Sequence, residues 1–224
     1  MDTTFPAHMR PVALTRSYLL LNHGPTVLVS AAHGGEHNVM AAAWAMPLDF
    51  DPPKMLVVID KGTHTRHLVE GSGEFALCVP ARDQARATLT AGTLSGRDGD
   101  KFEASGLAAV SATQIGAPLV RDCLAWLECK VIPEPHNQQR YDLFIGEVVA
   151  AWADERAFSG NRWHFPAPER RSIHYVAGGT FFATGDAFTL AEDASGAAAD
   201  TEDAAPAAGD PASAAAVSRA TDPE

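Results

Sequence analysis

NVMAAAWAMPLDFDPPKMLVVIDKGTHTRHL, residues 38–68, is the stretch whose reading decides the fold. Two apolar runs flank Asp51-Pro52-Pro53. A proline pushes the residue before it out of the helical region, so both runs approach the turn extended. Lys54 to Asp60 (KMLVVID) is a continuous apolar run of strand length, which predicts burial on both faces. It leads straight into the polar loop Lys61-Gly62-Thr63-His64-Thr65. The alanines Ala41, Ala42 and Ala43 would favour a helix by propensity alone. The hairpin context argues instead for an extended strand whose backbone a flat ligand can approach closely. The stretch thus delivers a small-residue wall and a phosphate-sized polar loop to one end of a β-structure.

Working outward, residues 1–16 read as a lead-in arm, and Tyr18 to Leu21 as a short apolar run. Thr26 to Ala32 is a strand by its β-branched content, and His33-Gly34-Gly35-Glu36-His37 is the turn after it. Downstream, Thr63 or Thr65 caps a short helix that ends near Gly71-Ser72-Gly73. Glu74 to Val79 is a strand, Arg82 to Ala91 a helix, and Gly92 to Lys101 a polar loop. Asp98 or Asp100 then caps a helical turn that stops at Gly106. Leu124 to Pro133 is a long strand whose alternation puts Ala125, Leu127, Cys129 and Val131 on one face. Trp126, Glu128 and Lys130 fall on the other, where Trp126 suits a surface buried by a partner. Pro135 to Gln138 reads as a loop, Tyr141 to Ala153 as the return strand, and Ser172 to Asp186 as a final strand-turn-strand. Many short strands and few helices, without regular β-helix-β alternation, predict a mainly β fold: an antiparallel barrel with peripheral helices.

The chain has 224 residues and a net charge of −11. Residues 191–224 hold eight acids and one base, or −7, which leaves −4 on the rest. The folded part is only mildly acidic and carries no basic footprint for nucleic acid. The stretch beyond Ala187 is rich in Ala, Asp, Glu, Pro and Gly and too poor in apolar bulk to offset its ordering entropy. The expected division is a folded domain over 1–186 and a disordered tail over 187–224. The three cysteines, Cys78, Cys123 and Cys129, lack metal-site spacing, and no apolar run is long enough for a membrane helix. An odd cysteine count and a start without a secretory pattern suit a reducing cytoplasm. His33 and His37 flank paired glycines that spoil a zinc-binding helix. Neither a G-x-S-x-G elbow nor a G-x-G-x-x-G fingerprint occurs.

The order NVMAAAW, FDPP, strand, K-x-T-H-T, SGEFALCVP, SGRDGDKF, and then LECKV and LFIGEVVA resembles the flavin reductase-like family of FMN-binding split-barrel proteins. The resemblance runs from about Thr26 to Ala153. It implies an antiparallel, Greek-key split β-barrel, FMN as cofactor, and transient binding of NADH or NADPH against the flavin rather than in a domain of its own. It also implies a homodimer, and a hydride passed from NAD(P)H to the flavin. A non-catalytic FMN-binding electron carrier is the alternative. No residue points to a particular acceptor, such as a partner monooxygenase or acceptor flavoprotein. FMN needs cations and donors for its phosphate, and apolar walls with backbone groups for its ring. The matching segments are Asn38, Val39, Met40, Ala41, Ala42 and Ala43 for the ring. Lys61, Thr63, His64 and Thr65 match for the phosphate, with Ser95, Gly96, Arg97 and Lys101 as a second polar set. Read alone, Thr63 could be only a helix cap, and Arg97 and Lys101 could be surface partners of Asp98 or Asp100. His174 and Tyr175 lie in the C-terminal segment, which in this family often lies near the site.

Overall fold

The computed structural model describes residues 2–190. In chain order the strands are β1 (Met9–Pro11), β2 (Val27–His33), β3 (Glu36–Ala42), β4 (Ala45–Phe50), β5 (Pro53–Val58) and β6 (Glu74–Val79). The two-residue pieces β7 (Ala109–Val110) and β8 (Leu119–Val120) precede the long strands β9 (Ala125–Ile132) and β10 (Leu143–Asp154). Two hairpins follow, β11 (Phe158–Ser159) with β12 (Arg162–Trp163), and β13 (Ile173–Ala177) with β14 (Thr180–Ala183). The α-helices are α1 (His64–Ser72), α2 (Ala85–Thr93), α3 (Lys101–Ser105) and α4 (Pro135–Tyr141).

The main sheet is antiparallel and has the order β3-β2-β6-β9-β10-β5-β4, with β1 paired to β10. Its two edge strands, β3 and β4, are neighbours in sequence. Only Ala43 and Trp44 separate them, so the sheet curls back on itself and is split at that corner. The split barrel predicted from the motifs is therefore the fold, with helices at its periphery.

The barrel interior packs Val27, Val29, Met55, Val57, Phe75, Leu77, Leu127, Cys129 and Phe144, all essentially without solvent contact. Burial along β5 alternates, with Met55 and Val57 inside and Leu56 and Val58 half-exposed. The run KMLVVID is thus not buried on both faces: β5 lies beside edge strand β4, and its outer face has no covering layer.

A second core lies on the outer face of β2, β6 and β9. It packs Leu28, Ala76, Cys78 and Trp126 against Ala91 of α2, Phe102 of α3, and Leu107, Leu119 and Val120. Trp126 is completely buried, donates Nε1–H to the Val120 carbonyl at 2.7 Å and meets the Phe5 ring edge-on. It faces the second core, not a partner. The error has a physical source: residues 107–123 cover this face as largely irregular chain, with only the two-residue pieces β7 and β8, and such chain leaves no periodic trace in a sequence. The three cysteines are buried thiols, and burial pushes those of Cys123 and Cys129 well up.

Residues 135–138, expected as a loop, open α4. Pro135 stands at the start of that helix, where a proline needs no hydrogen-bond partner. The predicted strand at 74–79 and the hairpin within 172–186 lie where the sequence puts them, whereas the return strand expected from Tyr141 begins at Leu143, because Tyr141 ends α4. The compact unit is Met1–Ala187. The expected disordered tail lies, from residue 191 on, outside the described residues. Among the described residues no helix is long and apolar enough to cross a membrane.

Candidate functional site

A cavity of about 580 Å³ opens at the split corner. Its floor is the end of β3 and its continuation, Met40 to Trp44. Alanines at 41–43 keep side chains out of the space, and Trp44 stands at the rim, 74% exposed. Val58 and Asp60 form one flank, and Thr88, Leu89 and Thr93 of α2 form another. Tyr141 and Asp142 close the end of α4, and Tyr175, Val176 and Phe181 of the last hairpin stand over the opening. The Thr88 hydroxyl is buried without a partner at this wall.

The polar loops come together at Asn38, two residues before this floor begins, and none of Lys61, Thr63, His64, Thr65, Ser95, Gly96, Arg97 and Lys101 lines the cavity itself. Thr63 caps α1: its hydroxyl accepts from Arg66 N–H at 3.3 Å and donates to the Asp60 carbonyl at 2.8 Å. The Thr63 hydroxyl is thus engaged on both sides as the cap of α1. Gly73, in the left-handed conformation at φ +70°, ends the helix as the glycine cluster predicts. Thr65 is fully buried and accepts from Asn38 Nδ2 at 3.0 Å, which ties α1 to β3. Its hydroxyl proton stays free to donate.

Gly96 packs on Asn38 so tightly that a Cβ there would lie 2.5 Å from Asn38 Nδ2. Arg97 donates to the Gly62 carbonyl at 2.7 Å, which joins the 95–101 loop to the 61–65 loop. Asp100 caps α3 through the Phe102 and Glu103 amides, and its carboxylate lies 3.9 Å from His37 Nε2. His64 Nε2 lies 3.2 Å from Glu36. Lys61 and Ser95 are exposed at the loop surfaces.

Lys101 is the outlier. It is 5% exposed, and burial alone lowers its pKa to about 8. Among the described residues it has no carboxylate within ion-pair distance, so it pairs with neither Asp98 nor Asp100. A buried ammonium without a counter-charge is costly.

The structure therefore brings Asn38, Thr65, Gly96, Arg97 and the 61–65 loop together, and places Met40, Ala41, Ala42 and Ala43 on the cavity floor. Val39 is separate: its side chain is buried in the second core, pointing away from the cavity. Sequence reading missed Thr88 and Leu89, which a helical assignment alone could not aim, Thr93, which was read as loop but ends α2, and Asp142, whose position depends on the unrecognised α4. Among the described residues no three His, Cys, Asp or Glu side chains group as a metal site.

An antiparallel split barrel with a nucleotide-sized cleft at its open corner defines a class, and the family follows. The model for the flavin reductase like domain matches residues 20–167, and the chain belongs to that family. It is 42% identical over 182 residues, 80% of its length, to YddH of Escherichia coli (strain K12), an uncharacterized protein of which the match covers 96%. A solved structure of an FMN-binding domain of a flavin reductases-like enzyme from Shewanella baltica OS155 is 47% identical. It superposes with TM-score 0.79, covering 85% of this chain and 99% of that one. Flavoredoxin of Desulfovibrio vulgaris (Miyazaki F) is 28% identical at TM-score 0.66, covering 76% of this chain and 92% of that one.

Proposed function

We propose that the protein is an FMN-dependent oxidoreductase that receives a hydride from NADH or NADPH at the split corner of the barrel. The observation that carries this reading is Lys101, a buried ammonium with no carboxylate partner among the described residues, which opens α3 directly after the 95–100 loop. The residues present fit FMN. Its phosphate matches Lys101, Arg97, Lys61, His64, Ser95, the Thr65 hydroxyl and the first-turn amides of His64 and Thr65, where the helix dipole favours an anion. Its ring matches the alanine floor at 41–43, where bulkier side chains would block the approach. The 47% identity to a protein described as FMN-binding supports the match.

FMN, when bound, supplies a ring that takes up a hydride and passes electrons onward. The chain's own part is binding, orientation and exclusion of water. Holding two planar rings in register supplies much of the rate, and no side chain has to move a proton in the hydride step. The nicotinamide enters from the open side of the cavity, between Trp44 and the hairpin carrying Tyr175.

The same reading includes a homodimer. Trp44, Met46, Leu48 and Phe50 turn outward along edge strand β4 and its approach, and are 74, 53, 47 and 54% exposed. A row of large apolar groups on an unpaired edge is a self-association surface. The buried cysteine thiols suit a reducing cytoplasm.

Anaerobic titration of the FMN-loaded protein with NADH and then NADPH tests the activity. Flavin bands that bleach with one or both support a reductase. Bands that persist with both and bleach only with dithionite overturn it in favour of an electron carrier.

A further inference from the structure

A chain of hydrogen bonds runs beneath the last hairpin, and its direction follows from donor and acceptor chemistry. At one end, His174 Nδ1 lies 2.9 Å from the Gly24 carbonyl. A carbonyl only accepts, so Nδ1 carries the proton and, in a neutral ring, Nε2 is an acceptor. His174 Nε2 lies 2.9 Å from the Thr184 hydroxyl, which must therefore donate to it. Thr184 Oγ1 then accepts from Ser172 Oγ at 2.6 Å, and Ser172 Oγ accepts from His23 Nε2–H at 2.9 Å. His23 Nδ1 is left bare, buried and without a partner.

The surroundings keep the chain neutral at its inner end. His23 meets the rings of Trp163, Phe165 and His174, at centroid distances of 5.2, 6.1 and 6.0 Å. Burial first, and the neighbouring His174 second, lower its pKa to about 4. The charged groups beside the chain are Arg171, which donates to the Thr184 carbonyl at 3.2 Å, and Asp186, which pairs with Arg171.

The hairpin so held is part of the cavity. Tyr175 and Val176 follow His174 on β13, and Phe181 is the cross-strand partner of Tyr175, their rings 5.3 Å apart edge-on. Thr26 fixes the same strand from below: its amide donates to the Ile173 carbonyl at 2.8 Å, and its hydroxyl accepts from Tyr175 N–H at 2.7 Å. We infer that His174 is a positioning residue: through Thr184, Ser172 and His23 it fixes the hairpin on the barrel and so sets where Tyr175 and Phe181 stand over the cavity. The inference rests on the proposed FMN site for its consequence, but not for its geometry.

Two measurements test it on the full-length protein. Nitrogen-15 NMR of the histidine rings reports the tautomers directly, and the chain requires His174 as Nδ1–H and His23 as Nε2–H. His174 found as Nε2–H overturns the chain whether or not FMN binds. The second measurement compares Thr184→Ser, which keeps the hydroxyl, with Thr184→Val, which keeps the shape. Amide hydrogen exchange at Tyr175 and FMN affinity by fluorescence quenching are the readouts. Thr184→Ser should match the wild type within about twofold on both. Thr184→Val should speed exchange at Tyr175 and weaken FMN roughly five- to tenfold, as loss of one link strands two polar groups. The opposite order, with Val tolerated and Ser not, would show that Thr184 acts by packing and overturn the inference. Wild-type protein that binds no FMN at all would instead remove the proposed cofactor site, while the tautomers would still decide the chain.

Discussion

Glu128 is a carboxylate with no solvent-exposed surface, and it is fully occupied. It accepts from the Thr113 and Gln114 amides, the Thr113 hydroxyl and Trp152 Nε1, at 2.6 to 3.1 Å. It thereby holds the irregular chain that covers the second core. Removing it strands four donors, so Glu128→Ala should lower stability by on the order of 3 kcal/mol or more in denaturant unfolding. Lys101 is the opposite case, a buried charge without a carboxylate partner among the described residues. Its pKa of about 8 lies below the 10.5 of an ordinary lysine. The unfolded chain therefore binds more protons between these values, and the ligand-free protein should gain stability as pH rises from about 8 to 10.5. An anion beside Nζ favours the protonated form, so FMN affinity should fall as pH rises through about 8. A flat affinity profile across that range would contradict the role of Lys101. Sequence alone shows that Lys101 follows a polar loop but not that it is buried, because burial depends on the second core. For the same reason Val39, which lies among residues that do face the cavity, could not be aimed from its position in the run.

At the scale of elements, α4 is positioned by Arg66 of α1. Its guanidinium donates to Glu70 at 2.8 Å, to Asp142 at 2.5 Å and to the Gln138 carbonyl at 2.7 Å, over the ring of Phe144 at 5.2 Å. This places Tyr141 and Asp142 at the cavity wall. Arg66→Met should cost on the order of 3 kcal/mol, since it leaves the half-buried Asp142 without its cation. Arg66→Lys should restore little of it, because an ammonium cannot span a planar fork of three acceptors. Retention of full stability by Arg66→Lys would contradict this account of α4. The boundaries of β6 were legible, and those of α1 to within the choice of Thr63 or Thr65 and of a glycine at 71–73, because alternation, caps and glycine act within a few residues. The α4 helix was not: residues 135–138 read as a loop, whereas Pro135 stands at the one helical position that suits proline.

At the scale of the molecule, the barrel was legible from the order of its motifs, and the closure of its corner by Ala43 and Trp44 follows from two edge strands being sequence neighbours. The misreading of Trp126 came from treating an alternating strand as two-faced with one face free, when residues 107–123 cover it. The self-association surface moves accordingly to β4. The wild type should scatter light as two chains, and Met46→Glu with Leu48→Glu should scatter as one. A monomeric wild type would remove the homodimer from the account. The central claim is that the cleft at the open corner, with the loops at 61–65 and 95–101, holds FMN. Titration of FMN into the wild type and Lys101→Met at pH 7, followed by quenching of flavin fluorescence, tests it most directly. The account predicts saturable binding in the wild type and a weakening of about ten- to a hundredfold in the variant, the worth of one charge-assisted contact. Equal affinity in the two proteins, or no saturable binding in the wild type, would contradict it.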